Sequence, residues 1–160
     1  MSMRDLNSNI SVVTGLVPQT ITSAGGAKNT GDIDLQGFNS AAIICAFGAS
    51  GDVLSSTVFQ QVKLEHADDN GAGAPGTYAA VTVKDVDIKG TLSGVPQVTA
   101  PDASGNIVLV DAAAEASNTY QFGYVGNKRF IRATTTPSAG NTSGMTHALI
   151  IVKGAASVAQ

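Results

Sequence analysis

The chain has 160 residues, with nine Lys and Arg against twelve Asp and Glu and a formal net charge of −3. Only 13% of its residues are charged, about half of the ~25% usual for soluble domains, so the exterior is expected to be small and neutral and not a basic nucleic-acid surface. No apolar stretch is long enough for a membrane span or a secretory signal. We therefore expect a soluble protein made in the cytoplasm, with neither membrane nor nucleic acid as a partner.

The first residues of the chain are rich in Asn, Ser, Thr and Gly and contain few large apolar side chains. Residues 1–31 are predicted to form an N-terminal arm or edge-strand region, and residues 32–160 to form the main domain. An arm of this kind can lie across a neighbouring subunit and add a strand to its sheet, because backbone hydrogen bonds supply affinity and a few side chains fix the register.

Short segments with strand-like alternation follow one another, separated by clusters of Gly, Asn, Asp, Pro and Ser. One short stretch, residues 111–117, could form one or two helical turns. This pattern predicts an all-β fold, an antiparallel β-sandwich or jelly roll of about eight to ten short strands. The predicted strands are residues 10–14, 20–22, 32–35, 41–47, 57–66, 77–83, 107–110, 119–125, 128–136 and 146–152.

Two of these strands, residues 41–47 and 148–152, are apolar on both faces. Each is expected to be central in its sheet, or to face the core on one side and a partner subunit on the other. Ile44 and Ile150, together with the arm at residues 7–21, are the candidates for subunit contacts.

Residues 117–136 predict a β-hairpin whose turn is Gly126-Asn127, since a two-residue loop that begins with Gly favours a type II′ turn. Counting outward, Tyr124 would pair with Arg129, Phe122 with Ile131 and Tyr120 with Ala133. These side chains are assigned to the core, with Arg129 lying on the Tyr124 ring at the rim.

Catalytic chemistry has few candidates in the sequence. Cys45, the only cysteine, lies within an apolar strand and is expected to be buried and inert. His66 and His147 lie at the end and the start of strands, where solvated or edge histidines are ordinary. We predict no enzymatic activity, no catalytic residue and no cofactor.

Carboxylates cluster at three places in the chain. Residues 68–71, DDNG, offer oxygen ligands suited to calcium, but their composition is typical of a turn, so no metal site is predicted. The pairs Asp32 and Asp34, and Asp85 and Asp87, alternate with apolar residues and are expected on exposed strand faces, where they protect edges and aid solubility.

The aromatic row Tyr120, Phe122 and Tyr124 has a second interpretation. Aromatic side chains on one strand face can stack on a sugar or on single-stranded nucleic acid, with Lys128, Arg129 and Arg132 as a basic frame. Core packing is the favoured interpretation, because the chain has only eight aromatic residues. A carbohydrate-binding β-sandwich stays open as an alternative function.

The string GYVGNKRFIRA at residues 123–133 resembles a signature of small β-rich structural proteins of tailed bacteriophages. Residues 34–41 (DLQGFNSA), 62–69 (VKLEHADD) and 148–152 (ALIIV) are similar to other parts of that group. The resemblance implies a virion protein, a head decoration or cement protein that binds the outside of the shell and stabilises it.

That resemblance also implies partners and a location. The partners would be the major capsid protein and further copies of the chain, as a homotrimer, on the surface of the virion head after synthesis in the host cytoplasm. A structural protein of the tail, or of the neck between head and tail, is the alternative within the same group.

Overall fold

The computed structural model describes residues 9–88 and 99–156 of the chain. Within them lie eleven strands and two 3₁₀ turns, Val83–Asp85 and Ala113–Glu115, the second within the stretch predicted to be helical. The strands are β1 (Ser11–Ile21), β2 (Lys28–Asn29), β3 (Ile33–Asp34), β4 (Phe38–Ser50), β5 (Gln60–Ala67), β6 (Ala79–Ala80), β7 (Val86–Asp87), β8 (Asn106–Val110), β9 (Thr119–Tyr124), β10 (Phe130–Pro137) and β11 (Met145–Ala156).

The strands form two sheets in which every pairing is antiparallel. Sheet A has the order β1-β11-β4-β9-β7. Sheet B has the order β2-β10-β5-β6, with β3 also on β10 and β8 also on β5. The prediction of an all-β antiparallel sandwich is confirmed. Two sheets form because the alternation of apolar residues gives each sheet an apolar side, which a second sheet must cover.

The core lies between the two sheets and follows the period of two along each strand. In β4, Ile43 and Cys45 are fully buried, whereas the residues between them are half-buried. In β5, Val62 and Leu64 are likewise fully buried. Each strand thus gives one row of side chains to the core and keeps the other row at the surface.

The N-terminal region contributes an edge strand to sheet A. The predicted segments 10–14 and 20–22 belong to one strand, β1, which pairs with β11 of the same chain. Its register shifts between Thr14 and Leu16 and again between Leu16 and Gln19. Each irregularity interrupts the period of two along the strand. The sequence pattern therefore predicted two separate strands where the structure has one. The domain boundary at residue 31 stays a prediction.

The predicted hairpin at residues 117–136 is wrong, although both of its strands exist. β9 lies in sheet A and pairs with β4 and β7, whereas β10 lies in sheet B and pairs with β5. Residues 125–129 therefore cross from one sheet to the other. The assigned core residues are indeed buried, but they enter the core from opposite sheets instead of lying side by side. Alternation predicts which way the side chains of a strand point, but it does not predict which strand lies beside it.

Tyr124 occupies the place where the chain crosses between the sheets. Its side chain is fully buried, and its hydroxyl is 3.0 Å from Nδ1 of His66 on β5. The backbone N–H of Lys128 also donates to this hydroxyl, at 3.1 Å. Gly126 does not have a positive φ, so the predicted type II′ turn is wrong. This position is glycine because a Cβ there would lie 2.6 Å from the Tyr124 hydroxyl oxygen.

Arg129 anchors the end of the crossover. It forms ion pairs with Asp34 on β3 and with Asp69 in the loop after β5, and its Nη2 donates to Gln36 at 2.7 Å. The hydrogen bond from Arg129 holds the pKa of Asp34 below its usual value. The predicted stacking of Arg129 on Tyr124 is therefore wrong, because these carboxylates fix the guanidinium more strongly than a ring face does.

Gly126→Ala is expected to destabilise the protein by about 1–3 kcal/mol, because the new methyl group overlaps the buried Tyr124 ring. For a chain of this size the melting temperature should fall by about 3–10 °C in thermal unfolding. Gly76→Ala is the control, because the nearest atom to its new methyl group is a backbone oxygen at 3.4 Å. Equal melting temperatures for the two variants would contradict the packing of Tyr124 on Gly126.

Candidate functional site

The outer face of sheet B is charged and internally paired. Nζ of Lys63 lies 2.9 Å from Glu65, and Nη2 of Arg132 lies 3.1 Å from the same carboxylate. The Arg132 guanidinium also lies 4.0 Å from the centre of the Tyr78 ring. Burying this face against another protein would require these charges to be desolvated. This outer face of sheet B is therefore better suited to contact with solvent than to burial in an interface.

The outer face of sheet A differs, because the side chains that alternate with its core residues are small, apolar or neutral. Among the described residues of this sheet, the one charged side chain on that side is Asp87, on the edge strand β7. Lys153 belongs to β11 but points away, since its Nζ donates to the carbonyl oxygen of Asp34. We call the following set the neutral face: Val12, Thr14, Ser40, Ala42, Ile44, Ala46, Thr119, Gln121, Gly123, Thr146, Ala148, Ile150 and Val152.

The strand register arranges the neutral face in rows. Ile150 of β11 lies directly opposite Ile44 of β4, which lies opposite Gln121 of β9. The two candidates for subunit contacts are therefore brought together, and both are half-buried. Their proximity could not be read from the sequence, because about a hundred residues separate them.

A groove of about 260 Å³ opens on the neutral face. Its lining includes Ala42, Gln121, Gly123, Val152 and Gly154, together with Asp87 of β7. Glycine within a strand often marks a place where another backbone or a ligand approaches closely. Sequence reasoning missed Gln121 and Gly123 as surface residues of interest, and the only signal was the lack of a side chain at residue 123.

Physically, the neutral face is suited to contact with another protein. Its burial would remove apolar area from water, worth about 25 cal/mol per Å², without stripping water from charged groups. Small, branched side chains also lose little rotamer freedom when a partner covers them. The face is thus the part of sheet A that best fits an interface.

Cys45 lies where the sequence placed it, on the core side of β4. Its side chain has no exposure, and burial raises the pKa of its thiol far above the usual value. A thiol in this state is neither a nucleophile nor a metal ligand at neutral pH. The expectation of a buried cysteine is confirmed, and its lack of reactivity stays a prediction.

The expectation that both histidines are solvated or lie on edge strands is wrong. His66 is buried and bonded to the Tyr124 hydroxyl. His147 has no exposure; its Nδ1 lies 2.9 Å from the Thr135 hydroxyl oxygen, and its ring stacks on Phe47 with centroids 4.0 Å apart. Burial lowers the pKa of His147 to about 4. A period of two places both residues on inward faces, a signal that their position at strand ends obscured.

Residues 68–71 form the predicted turn. The Asp69 carboxylate accepts hydrogen bonds from the backbone N–H groups of Gly71 and Gly73, at 2.8 and 2.9 Å. These bonds help to lower the pKa of Asp69. Within residues 9–88 and 99–156, no group of three His, Cys, Asp or Glu side chains is placed to hold a metal ion.

The other carboxylates are more engaged than predicted. Asp32 accepts a hydrogen bond from the Tyr78 hydroxyl at 2.7 Å, and Asp85 accepts one from the backbone N–H of Thr82 at 2.8 Å. The Asp32 contact joins two segments that are distant in the sequence, and the Asp85 contact closes the 3₁₀ turn Val83–Asp85. Of the four aspartates predicted to protect strand edges, Asp87 fits that role best, because it is exposed on a two-residue edge strand.

The aromatic row cannot serve as a stacking platform. Tyr120, Phe122 and Tyr124 are 2%, 1% and 0% exposed. Of the expected basic frame, Lys128 lies 2.6 Å from Asp68, and Arg129 and Arg132 are also paired with carboxylates. The carbohydrate-binding and nucleic-acid-stacking interpretations that rest on these rings are therefore wrong, and core packing is confirmed.

Comparisons with known proteins give no family assignment, since no family model and no curated protein match the chain. Several solved structures give a match, among them the following two. The crystal structure of SPBc2 prophage-derived protein YomS has a TM-score of 0.41 and 14% identity, over 91% of this chain and 94% of that chain. The structure of infectious bursal disease virus, Gx strain, has a TM-score of 0.41 and 12% identity, over 94% of this chain and 33% of that chain.

TM-scores of this size do not indicate a function for the chain. No helix within the described ranges is long and apolar enough to cross a bilayer.

His147 should make the protein sensitive to mild acid. Because its pKa is about 4 when folded and about 6.5 when unfolded, the unfolded state binds the extra proton and stability falls as the pH drops below 6.5. Between pH 7 and 4.5 the free energy of unfolding should fall by about 2.5 kcal/mol from this group. Denaturant unfolding at both pH values measures this loss.

His147→Gln removes the titration, so the variant should lose much less stability than the native protein over the same pH interval, whatever its stability at pH 7. The interval stops at pH 4.5 because carboxylates with lowered pKa, such as Asp34 and Glu65, contribute below it. Parallel pH dependences in the two proteins would show that His147 is not held neutral by burial.

Proposed function

We propose that the protein is a non-enzymatic structural component of a tailed-phage particle, a decoration or cement protein that binds the outside of the head. The observation that carries the proposal is the contrast between the two outer faces, one charged and internally paired, the other neutral across four strands. A sandwich that only had to stay soluble would benefit from charge on both faces.

Support also comes from the way in which the titratable groups are used. Cys45 and His147 are buried in the core, and His66 is committed to Tyr124. Apart from Asp87, the charged side chains named so far lie in ion pairs, turns and loop contacts. Among residues 9–88 and 99–156, what stays available for a partner is a surface, not a constellation that could carry out acid–base or nucleophilic chemistry.

The physical action of such a protein is multivalent clamping. Each copy buries a modest interface, and contacts to two or more shell subunits raise the effective concentration of every further contact. The neutral face, with Ile44 and Ile150 near its middle, is the proposed docking surface for the major capsid protein. The homotrimer and the location on the virion head are what the resemblance at residues 123–133 implies, and both belong to the proposal.

The composition of purified particles tests the location. If the protein decorates the head, its copy number should be comparable to that of the shell protein when the two are quantified by mass spectrometry with labelled standards. A copy number far below that of the shell protein would instead favour the tail or the neck. Absence from purified particles would overturn the virion role.

A charge placed in the middle of the neutral face tests the docking surface. Ile44→Glu should weaken binding to particles assembled without the protein by about tenfold or more, since a carboxylate would be buried without a partner. Leu109→Glu is the matched control, because Leu109 is 43% exposed and β8 lies in sheet B. Co-sedimentation with the particles measures both variants, and circular dichroism confirms that both are folded.

Equal binding by the two variants would contradict a role for the neutral face while leaving the virion role to the copy-number measurement. Weakened binding by Leu109→Glu alone would assign docking to sheet B instead.

A further inference from the structure

The edges of the two sheets are unequal. At the sheet edges β2, β3, β6 and β7 have two residues each, and β8 has five. Short edge strands, and a charge such as Asp87 on one of them, are devices that prevent unwanted pairing. β1, at the other edge of sheet A, has eleven residues.

The edge of β1 is open and carries no charge. One side of the strand pairs with β11, and no backbone hydrogen bond joins its other side to any segment that the structure describes. From Asn9 to Ala27 the sequence contains no charged residue. Val12 and Val17 are 61% and 59% exposed, among the most exposed of the large apolar side chains described.

Only part of this edge is regular enough to accept another strand. The register shifts after Thr14 and again after Leu16, and Pro18 has no N–H to donate. Irregularities and proline blunt an edge. The unprotected part is therefore Ser11–Thr14, where β1 and β11 pair residue by residue without a shift.

We propose that β1 is a self-association site, in which the regular segment Ser11–Thr14 pairs antiparallel with the same segment of a second copy. The occupant follows from charge and from side-chain type. The chain carries a net charge of −3, so two copies repel through most surfaces and approach most easily where no charge is present. The segment also presents Val12, Val13 and Thr14, which are β-branched residues that pair well across strands.

The period of two restricts the register of this pairing. Val12 points to the neutral face and Val13 points towards the core, and residues opposite each other in a sheet share a face. The two-fold axis between the copies must then pass through a residue and not between two residues. The axis lies at Val12, or at Val13 with Val12 opposite Thr14 of the second copy.

The pairing goes beyond the proposed docking on a shell and does not depend on it. Sheet A would continue from one copy into the next, so that two neutral faces form one larger surface. This adds to the multivalency of the proposed clamp. It is also compatible with any further contact, on another surface, that builds a trimer.

Disulfide cross-linking tests the pairing directly, because opposite residues on an antiparallel pair have Cα atoms about 4.5–5.5 Å apart, within disulfide range. Native Cys45 is fully buried, so a single added cysteine reports alone. Val12→Cys and Val13→Cys are each oxidised with diamide, which accepts the two electrons and two protons released as two thiols form the disulfide. The product is followed on non-reducing gels.

One of the two variants should form a covalent dimer as its main product, reversed by reductant. Val53→Cys and Leu109→Cys are the controls, since both positions are exposed but lie away from β1. Their dimer yield sets the level of chance collision. If neither Val12→Cys nor Val13→Cys exceeds that level, the proposal is overturned.

A second variant measures the non-covalent assembly. Val12→Lys puts a charge on the open edge at an exposed position, so the fold should be kept while the paired species in sedimentation velocity is lost. Leu109→Lys should leave that species unchanged. An assembly that survives Val12→Lys would also overturn the pairing. In that case the proposed particle binding through the neutral face would be unaffected, because Ile44→Glu tests it separately.

Discussion

The Tyr124 hydroxyl joins the two sheets at the place where the chain passes between them. The hydroxyl contacts His66 on β5 of sheet B and accepts a hydrogen bond from the backbone N–H of Lys128 in the crossover. The Tyr124 ring packs on Gly126. A buried phenol must find partners for its oxygen, and here those partners lie on the opposite sheet and on the connecting segment. β9 and β10 lie in opposite sheets, and these contacts join the sheets where the chain passes between them.

Once the sheets are fixed in this way, the distribution of charge follows. Arg129 is drawn to Asp34 and Asp69 at the rim, and Lys63, Glu65 and Arg132 pair on the outside of sheet B. Each of these pairs is partly exposed and contributes modestly to stability. Their larger consequence is positional, because they concentrate charge on one side of the sandwich and leave the outside of sheet A neutral.

The neutral face and the open edge of β1 belong to the same sheet and are continuous with each other. Interfaces that are buried permanently tend to lack charge at their centre, and an unprotected edge strand offers backbone groups to a partner. Both features fit the proposed function, which is contact with other proteins. In a small chain with few charges, the physical requirement is to keep such surfaces from aggregating, and the short edges elsewhere and the bulges in β1 meet it.

Much of the fold was determined by the sequence alone. Local patterns identified most of the strands, the inward row of β9, the buried Cys45 and the turn at residues 68–71, because each depends on residues close together in the chain; the two-residue strands β2 and β7 were not predicted. Ile44 and Ile150 could also be named as surface candidates from apolar residues on both faces of their strands.

Only the tertiary structure decided which strands are neighbours. The period of two states which way a side chain points and not what it meets, so Tyr124 was predicted beside Arg129 and was found beside His66. For the same reason the burial of His147, the pairing of Ile44 with Ile150 and the sorting of charge onto sheet B depend on contacts between distant residues, which no local pattern encodes.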